Sequence, residues 1–271
     1  MKIGVTGCVG RMGRTVVQQI ALRSGCVLAA ACDRPGVLGI GQDVGSIVGL
    51  EPLGVIASDD SATVFASSEV VIDFSSPAAT VSHAALAVEH RCALVIGTTG
   101  LDAEIEAALA EAARYVPIVK APNMSLGVNL LLGLVQQVAR TLDPSFDIEI
   151  VEMHHRNKVD APSGTALALG RAAAAGRAAA AGRAVRLDDV AVRVRDGIIG
   201  PRGGGDIGFA TLRGGDVVGE HTVIFAADGE RLELTHKASN RGIFATGAIR
   251  AALWTAGRPP GLYGMGDVLG L

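Results

Sequence analysis

The chain has 271 residues, 49% of them hydrophobic and 19% charged, with a formal net charge of −3. That length supports one large or two small domains, and the balance excludes a disordered polymer. Without a net basic charge, and with only 3% aromatic residues, neither a nucleic-acid-attracting field nor a base-stacking surface is expected.

Residues 1–120 alternate short apolar runs with helix-like segments, the pattern of a parallel sheet covered by helices. Lys2–Thr6 reads as the first strand, Arg11–Arg23 as the first helix and Val27–Cys32 as the second strand. Val70–Phe74, Ala93–Ile96 and Ile118–Lys120 follow as strands, separated by helices near Ala78–Glu89 and Asp102–Arg114. Pro77 suits a first helical turn and Asp102 a cap. The strands are nearly continuous apolar runs, as strands buried on both faces must be.

The pattern then changes. Ser125–Arg140 is a helix candidate, and Phe146, Ile148 and Ile150 alternate on one face of a strand beginning at Phe146 and running to Glu152. Strands are expected at Val190–Arg195, Ile207–Arg213, Val217–Phe225 and Arg231–Thr235, with turns at Gly214-Gly215-Asp216 and Ala227-Asp228-Gly229. A helix capped by Ser239 and running to Trp254 closes the pattern. The fold expected is α/β: a Rossmann-like parallel-sheet domain plus a smaller α+β domain with a mainly antiparallel sheet. Its expected divisions are a parallel-sheet domain over 1–124, a second domain over 125–237, and a C-terminal helix over 238–271 returning to the first domain.

One tract is low in complexity: Gly170-Arg171 is echoed at Gly176-Arg177 and Gly182-Arg183, with four alanines between. Glycine costs about 1 kcal/mol per helical position, and a six-residue step sends the arginines to different faces. A helix fraying into a solvated loop is expected there, with no functional weight. The four cysteines, Cys8, Cys26, Cys32 and Cys92, form no C-x-x-C pair and no zinc-spaced cluster, so no metal is expected. No targeting segment or membrane-length apolar run is visible, and the expected location is the cytoplasm.

Two regions carry chemistry. Gly7, Gly10 and Gly13 follow the first strand and open the first helix, where a backbone can turn tightly and approach a pyrophosphate. Val9 occupies the middle glycine position of the usual fingerprint, a departure from it. The second strand ends at Asp33-Arg34, where an acid accepts from the adenosine ribose and an arginine pairs with a 2′-phosphate, so use of both NADH and NADPH, within roughly tenfold, is expected. Gly97-Thr98-Thr99-Gly100 and Ala121-Pro122-Asn123-Met124 follow two later strands, at the edge where ligands bind open parallel sheets. The second region runs from Glu152 to Thr165. It holds His154, His155, Arg156 and Lys158 within five positions, followed by Ser163-Gly164-Thr165 at an expected helix start. Such a cluster suits a small anionic substrate that must also receive a proton. Adjacent histidines on a strand point to opposite faces, and no third ligand is apparent, so they do not make a metal site.

His154-His155, Lys158, Asp160 and Pro162-Ser163-Gly164-Thr165 reproduce an H-H-x-x-K-x-D-x-P-S-G-T signature. The sequence here resembles the 4-hydroxy-tetrahydrodipicolinate reductase (dihydrodipicolinate reductase) family. The resemblance spans nearly the whole chain and includes Gly10-Arg11-Met12-Gly13, Val71-Ile72-Asp73-Phe74, Gly97-Thr98-Thr99-Gly100, Asn123 with Ser125, Gly127-Val128-Asn129 and Val218-Gly219-Glu220-His221-Thr222. The Ala/Gly/Arg tract is the main departure. The resemblance implies NAD(P)H-dependent reduction of a cyclic imine dicarboxylate in the diaminopimelate route to lysine, by a homotetramer assembled chiefly through the second domain's sheets. It implies His154 as proton donor and acceptor and Lys158 as proton donor, with His155 and the Gly164-Thr165 backbone holding substrate carboxylate. Gly7, Cys8, Val9, Gly10, Arg11, Met12, Asp33, Arg34, Gly97, Thr98, Thr99, Ala121, Pro122, Asn123 and Met124 would contact the dinucleotide. Two alternatives fit less: another two-domain dehydrogenase, which leaves the tandem histidines unexplained, and a non-catalytic dinucleotide sensor, which would need an effector or DNA-binding module.

Overall fold

The computed structural model describes every residue from Met1 to Leu271. The chain forms two compact units, one comprising Met1–Leu126 with Arg241–Leu271 and the other Gly127–Asn240. No helix is long and apolar enough to cross a membrane.

The first unit begins with β1 (Lys2–Thr6), α1 (Arg11–Ala21), β2 (Val27–Cys32), a short α2 (Val44–Ile47), β3 (Ala57–Ser58) and α3 (Ser61–Ser67). It continues through β4 (Val70–Asp73), α4 (Pro77–Glu89), β5 (Ala93–Ile96), α5 (Ala103–Ala112) and β6 (Pro117–Lys120). Helix α6 (Leu126–Thr141) leads into the second unit, which holds β7 (Asp147–His154), α7 (Gly164–Ala181), α8 (Leu187–Val190) and β8 (Ala191–Val192). Strands β9 (Ile207–Arg213), β10 (Gly219–Ala227) and β11 (Glu230–Ala238) complete it. The first unit then resumes with α9 (Gly242–Trp254), β12 (Gly261–Tyr263) and α10 (Met265–Leu269).

All pairings in the first unit's sheet are parallel, in the order β12-β6-β5-β4-β1-β2-β3. Its central strands are buried along their length, and their side chains divide by the period of two. Val70, Ile72 and Val95 enter one layer with Val16 and Ile20 of α1 and the small residues of α9. Val71, Leu94 and Ile96 enter the opposite layer with Phe65, Ala84, Ile105 and Leu109 of α3, α4 and α5. Each fully buried large aliphatic side chain contributes about 1.5–3 kcal/mol of transfer free energy, which holds the three layers together. Asp102 accepts from the Ile105 N–H and caps α5. The final long helix starts after Arg241, with no side-chain cap, rather than at Ser239.

The second unit's sheet is mixed, in the order β11-β10-β7-β9-β8. β10 runs antiparallel to both β7 and β11, whereas β9 runs parallel to β7 and to β8. Helices α6 and α7 cover one face, where Leu131, Val135, Leu169 and Ala173 pack on Ile148, Ile150, Phe209, Val223 and Phe225. Along β7 this covered face reads Ile148, Ile150, Glu152, His154, so it turns from apolar to polar towards the strand's C-terminal end. The strand expected at Val190–Arg195 is confined to Ala191–Val192; beyond it Arg193 reaches Asp188 and Arg195 pairs with Glu149 through side chains.

The Ala/Gly/Arg tract departs from the expected frayed loop. It does not fray: α7 continues through Ala181, and Ala173, Ala174 and Gly176 are buried. Its three glycines do three different jobs. A Cβ on Gly170 would lie 2.7 Å from the Phe209 ring, and one on Gly176 would lie 2.4 Å from the Gln136 carbonyl oxygen of α6. Gly182 caps the helix in the left-handed conformation at φ 61°. The packing of the faces outweighs the propensity cost. Gly176→Ala tests this by sign. Helix propensity alone would raise stability by about 1 kcal/mol. Overpacking against α6 should instead lower it by about 1–3 kcal/mol, read by urea unfolding of the full chain.

Candidate active site

In the first unit, β1 lies between β2 and β4, and its C-terminal end opens a cleft of about 580 Å³. Ligands of open parallel sheets bind at such strand ends. Gly7 turns the chain at φ 72°, its carbonyl accepts from the Gly10 N–H at 3.0 Å, and Gly10 precedes the first turn of α1. A Cβ at Gly13 would sit 2.0 Å from the Gly7 carbonyl oxygen, so helix and loop can meet only at a glycine. Val9, in place of the middle glycine, lines the cleft, and its N–H donates to Asp33 Oδ2 at 2.8 Å. The other Asp33 oxygen accepts from the Arg34 N–H at 2.9 Å, so the acid at the end of β2 braces the glycine loop itself.

Gly7, Val9, Gly10, Asp33 and Arg34 therefore line one cleft. Cys8 does not line the cleft: its N–H donates to the Cys32 carbonyl at 3.1 Å, its side chain is fully buried, and burial, with the Asp33 charge adding, pushes its thiol up to about 12. Arg11 and Met12 begin α1, Arg11 exposed and Met12 half-buried, and neither lines the cleft. Gly97, Thr98 and Thr99 follow β5, and Ala121, Pro122, Asn123 and Met124 follow β6, at the same end of the sheet but outside the cleft lining. Gly97 lets the Phe74 ring pack against the backbone, since a Cβ there would lie 2.1 Å from it. Asn123 Oδ1 accepts from the Ser125 N–H, and Thr98 Oγ1 is buried without a partner.

The residues that sequence reasoning left without a role here are Asp73 and His83. Asp73, fully buried at the end of β4, accepts from Thr6 Oγ1 at 2.8 Å and from Ser75 N at 2.9 Å, with His83 Nδ1 at 3.1 Å. Burial alone would raise its carboxyl, but the bonds from His83, Ser75 and Thr6 hold it below the usual carboxylate range. The signal was an acid closing the otherwise apolar run Val70-Val71-Ile72. A dinucleotide fits this unit. The glycine cradle admits close backbone approach, the helix start favours a pyrophosphate, Asp33 and Arg34 suit the adenosine ribose, and the Thr98 hydroxyl awaits a partner.

In the second unit, the polar end of β7 gathers the other predicted residues. Glu152 is 1% exposed, and its Oε2 lies 2.6 Å from His154 Nδ1. Arg213, which faces His154 across the parallel β7–β9 ladder, donates to both Glu152 oxygens at 2.9 and 3.0 Å. Glu152 Oε1 also accepts from the Ser163 N–H at 2.9 Å. Burial pushes the Glu152 carboxyl up, but Arg213, His154 and Ser163 together hold it below the usual range. It is therefore ionised at neutral pH, and His154 carries its proton on Nδ1 with Nε2 turned away from Glu152. Burial lowers the His154 pKa, Glu152 opposes that, and Lys158 and Arg213 add to it.

Ser163 caps α7 by accepting from the Ala166 N–H, and its Oγ lies 3.0 Å from His221 Nε2. Gly164 begins the helix exposed, with open space around it, so this helix start can receive an anion. Lys158 Nζ donates to Asp160 Oδ1 at 2.7 Å, and Arg213 Nη2 donates to the Asp160 carbonyl at 2.6 Å. His155, half-buried, follows β7 and is held by its N–H to the Val217 carbonyl at 2.7 Å. His154, Lys158, His155, Gly164 and Thr165 thus share one short segment around the polar end of β7. Sequence reasoning gave no role to Arg213 or His221, which arrive from strands some sixty positions away. The constellation can bind a carboxylate at the α7 start and exchange a proton through an imidazole and an ammonium.

Comparison with known proteins bears on both units. The family described as "Dihydrodipicolinate reductase, N-terminus" matches residues 1–124, and "Dihydrodipicolinate reductase, C-terminus" matches residues 127–269. The 4-hydroxy-tetrahydrodipicolinate reductase of Ruegeria pomeroyi is 56% identical over 269 residues, covering 99% of this chain and 98% of that protein. That of Parvibaculum lavamentivorans is 54% identical over 272 residues, covering 100% and 98%. Among solved structures, dipicolinate-bound dihydrodipicolinate reductase from Paenisporosarcina sp. TG-14 shares the fold with a TM-score of 0.79 at 22% identity, covering 98% of each chain. By both halves and by full-length relatives, the chain belongs to the dihydrodipicolinate reductase family.

Proposed function

We propose that this chain is an oxidoreductase that reduces 4-hydroxy-tetrahydrodipicolinate to tetrahydrodipicolinate, in lysine biosynthesis via diaminopimelate. The observation that carries the reading is the end of β7, where Glu152-held His154 shares a segment with Lys158 and the exposed start of α7. The family membership supplies the substrate, and the residue types match its chemistry.

A nicotinamide dinucleotide, when bound, supplies the hydride. Its holders would be the backbone from Gly7 to Met12, Asp33 and Arg34 at the adenosine end, and the loops Gly97–Thr99 and Ala121–Met124. Loss of the 4-hydroxyl with a hydrogen of the neighbouring ring carbon releases water and leaves a conjugated imine; after hydride addition the resulting enamine-like anion takes up one proton. His154 exchanges a proton at Nε2, and the Lys158 ammonium donates one at Nζ. The amides of Gly164 and Thr165, with His155, bind a substrate carboxylate and so fix which atom meets the acid. Glu152 keeps the imidazole in the tautomer that leaves Nε2 for the substrate.

Both NADH and NADPH serve, within roughly tenfold, because Asp33 and Arg34 stand side by side at the adenosine end. The working form is a homotetramer assembled through the second unit's sheet in the cytoplasm. In support of that assembly, Val151, Met153, Leu212 and Ile224 lie on the sheet face opposite the α6–α7 core, and none is fully buried.

The direct assay is loss of NADPH absorbance when condensed pyruvate and aspartate semialdehyde are supplied; no loss with folded protein would overturn the assignment. For cofactor choice, Arg34→Ala is expected to weaken NADPH about tenfold more than NADH. Asp33→Ala should weaken NADH more, with a smaller loss for NADPH because the Val9 amide also loses its acceptor. Fluorescence titration measures both, and equal losses in both variants would place the adenosine end elsewhere.

The proton-transfer assignments separate kinetically. His154→Ala should lower kcat by about 10²–10⁴, and Lys158→Ala should lower kcat and raise KM. His155→Ala should chiefly raise KM, as loss of binding common to ground and transition states does. NADH binding without substrate should survive in all three. Near-normal kcat in His154→Ala would sink its role as proton exchanger.

A further inference from the structure

We infer that Glu152, clamped by Arg213, is the positioning residue that assembles the reaction centre: its two oxygens fix the His154 ring and the Ser163 amide at the start of α7 at once. This rests on the proposal that His154 exchanges the proton, and extends it to the groups that make that exchange possible.

Glu152 stands on the covered face of β7, where Ile148 and Ile150 precede it and an apolar side chain would suit the core. A buried ion pair is weak support for stability, since apolar replacements of similar shape commonly serve as well. Its placement has another consequence. Oε2 holds His154 Nδ1 at 2.6 Å, Oε1 holds the Ser163 N–H at 2.9 Å, and Arg213 spans both oxygens while also donating to the Asp160 carbonyl. One carboxylate therefore joins the proton-exchanging ring, the carboxylate-binding helix start and the segment bearing Lys158. The opposite edge of the ring, at Nε2, is kept clear by a glycine. A Cβ on Gly219 would lie 2.9 Å from His154 Nε2, and the His221 ring stands edge-on with centroids 5.1 Å apart.

The charges around His154 can be assigned by element. Glu152 comes from its own strand and Arg213 from β9. His221 comes from β10, with His236 of β11 paired beside it in register. Lys158 and Asp160 come from the segment after β7, and His155 follows in the chain. Burial lowers His221 to about 4, so it is neutral at physiological pH. Asp160 is engaged with Lys158, and Glu152 is the carboxylate bonded to the imidazole. Removing the Glu152 charge leaves Arg213 and Lys158 to disfavour the imidazolium, whereas removing Arg213 leaves Glu152 to favour it. The two changes must displace the His154 titration in opposite directions.

The test uses Glu152→Gln and Arg213→Gln in the full chain with NADPH and substrate. The readouts are the pH profiles of kcat and KM and NMR titration of the His154 ring, assigned with His154→Ala. In Glu152→Gln, kcat near neutral pH should fall about 10²-fold and partly recover as pH is lowered, and KM should rise severalfold. The His154 titration should move to lower pH, and in Arg213→Gln to higher pH. Opposite displacements support the inference. Titrations that do not move, or move the same way, overturn it, as does a kcat loss in Glu152→Gln that is equal at every pH. Should Glu152→Gln fail to fold, the upward displacement in Arg213→Gln still decides. If His154→Ala retains normal kcat, the proton-exchange proposal fails; if it is inactive while the titrations stay fixed, only the positioning role fails.

Discussion

Burying a carboxylate at the end of a strand is unfavourable unless its oxygens are satisfied, and the second unit is arranged around meeting that requirement at Glu152. Satisfying it draws in Arg213 from β9, the Ser163 amide from the start of α7 and His154 from the same strand. The parallel β7–β9 ladder is what makes the guanidinium reach both oxygens, because it sets Arg213 opposite His154. Each partner of the acid is also a part of the site. The bonds that satisfy the acid also fix the His154 ring and the start of α7.

The first unit solves a related problem at Asp73. There a buried acid ends the apolar strand β4, and a histidine Nδ1 again approaches it, here with hydroxyl and amide donors. The partners, Thr6, Ser75 and His83, line the cleft at the end of β1. The difference lies in surroundings: no arginine joins Asp73, whereas Arg213 compensates Glu152. Asp73 thus stays ionised on hydroxyl, amide and imidazole donors alone, whereas Glu152 has a guanidinium across both oxygens.

Small residues set how closely the elements approach. Gly13 allows the glycine loop to lie on α1, Gly97 allows Phe74 to lie on the backbone after β5, and Gly247 allows α9 to meet the Met124 carbonyl. In the second unit Gly176 does the same between α7 and α6. Glycine is poor in helices on propensity, yet at these positions its missing Cβ admits contacts that any other side chain would block.

Much of the molecule was legible in the residues alone. Lys2–Thr6, Val27–Cys32, Ala93–Ile96 and Ile207–Arg213 were readable to the residue, because short runs rich in apolar residues and bounded by turn residues admit few alternatives. The glycine loop, Asp33-Arg34 and the cluster from Glu152 to Thr165 were equally plain, since local chemistry is contiguous in sequence. Short elements such as Val44–Ile47 and Ala57–Ser58 were not, for they carry too few residues to show a period. Nor was the persistence of α7 through its alanine tract, which packing against α6 and the sheet decides. The ring of bonds around His154 was beyond sequence altogether. Arg213 and His221 lie far along the chain, and only strand pairing, a long-range choice made by the whole sheet, brings them to Glu152 and Ser163.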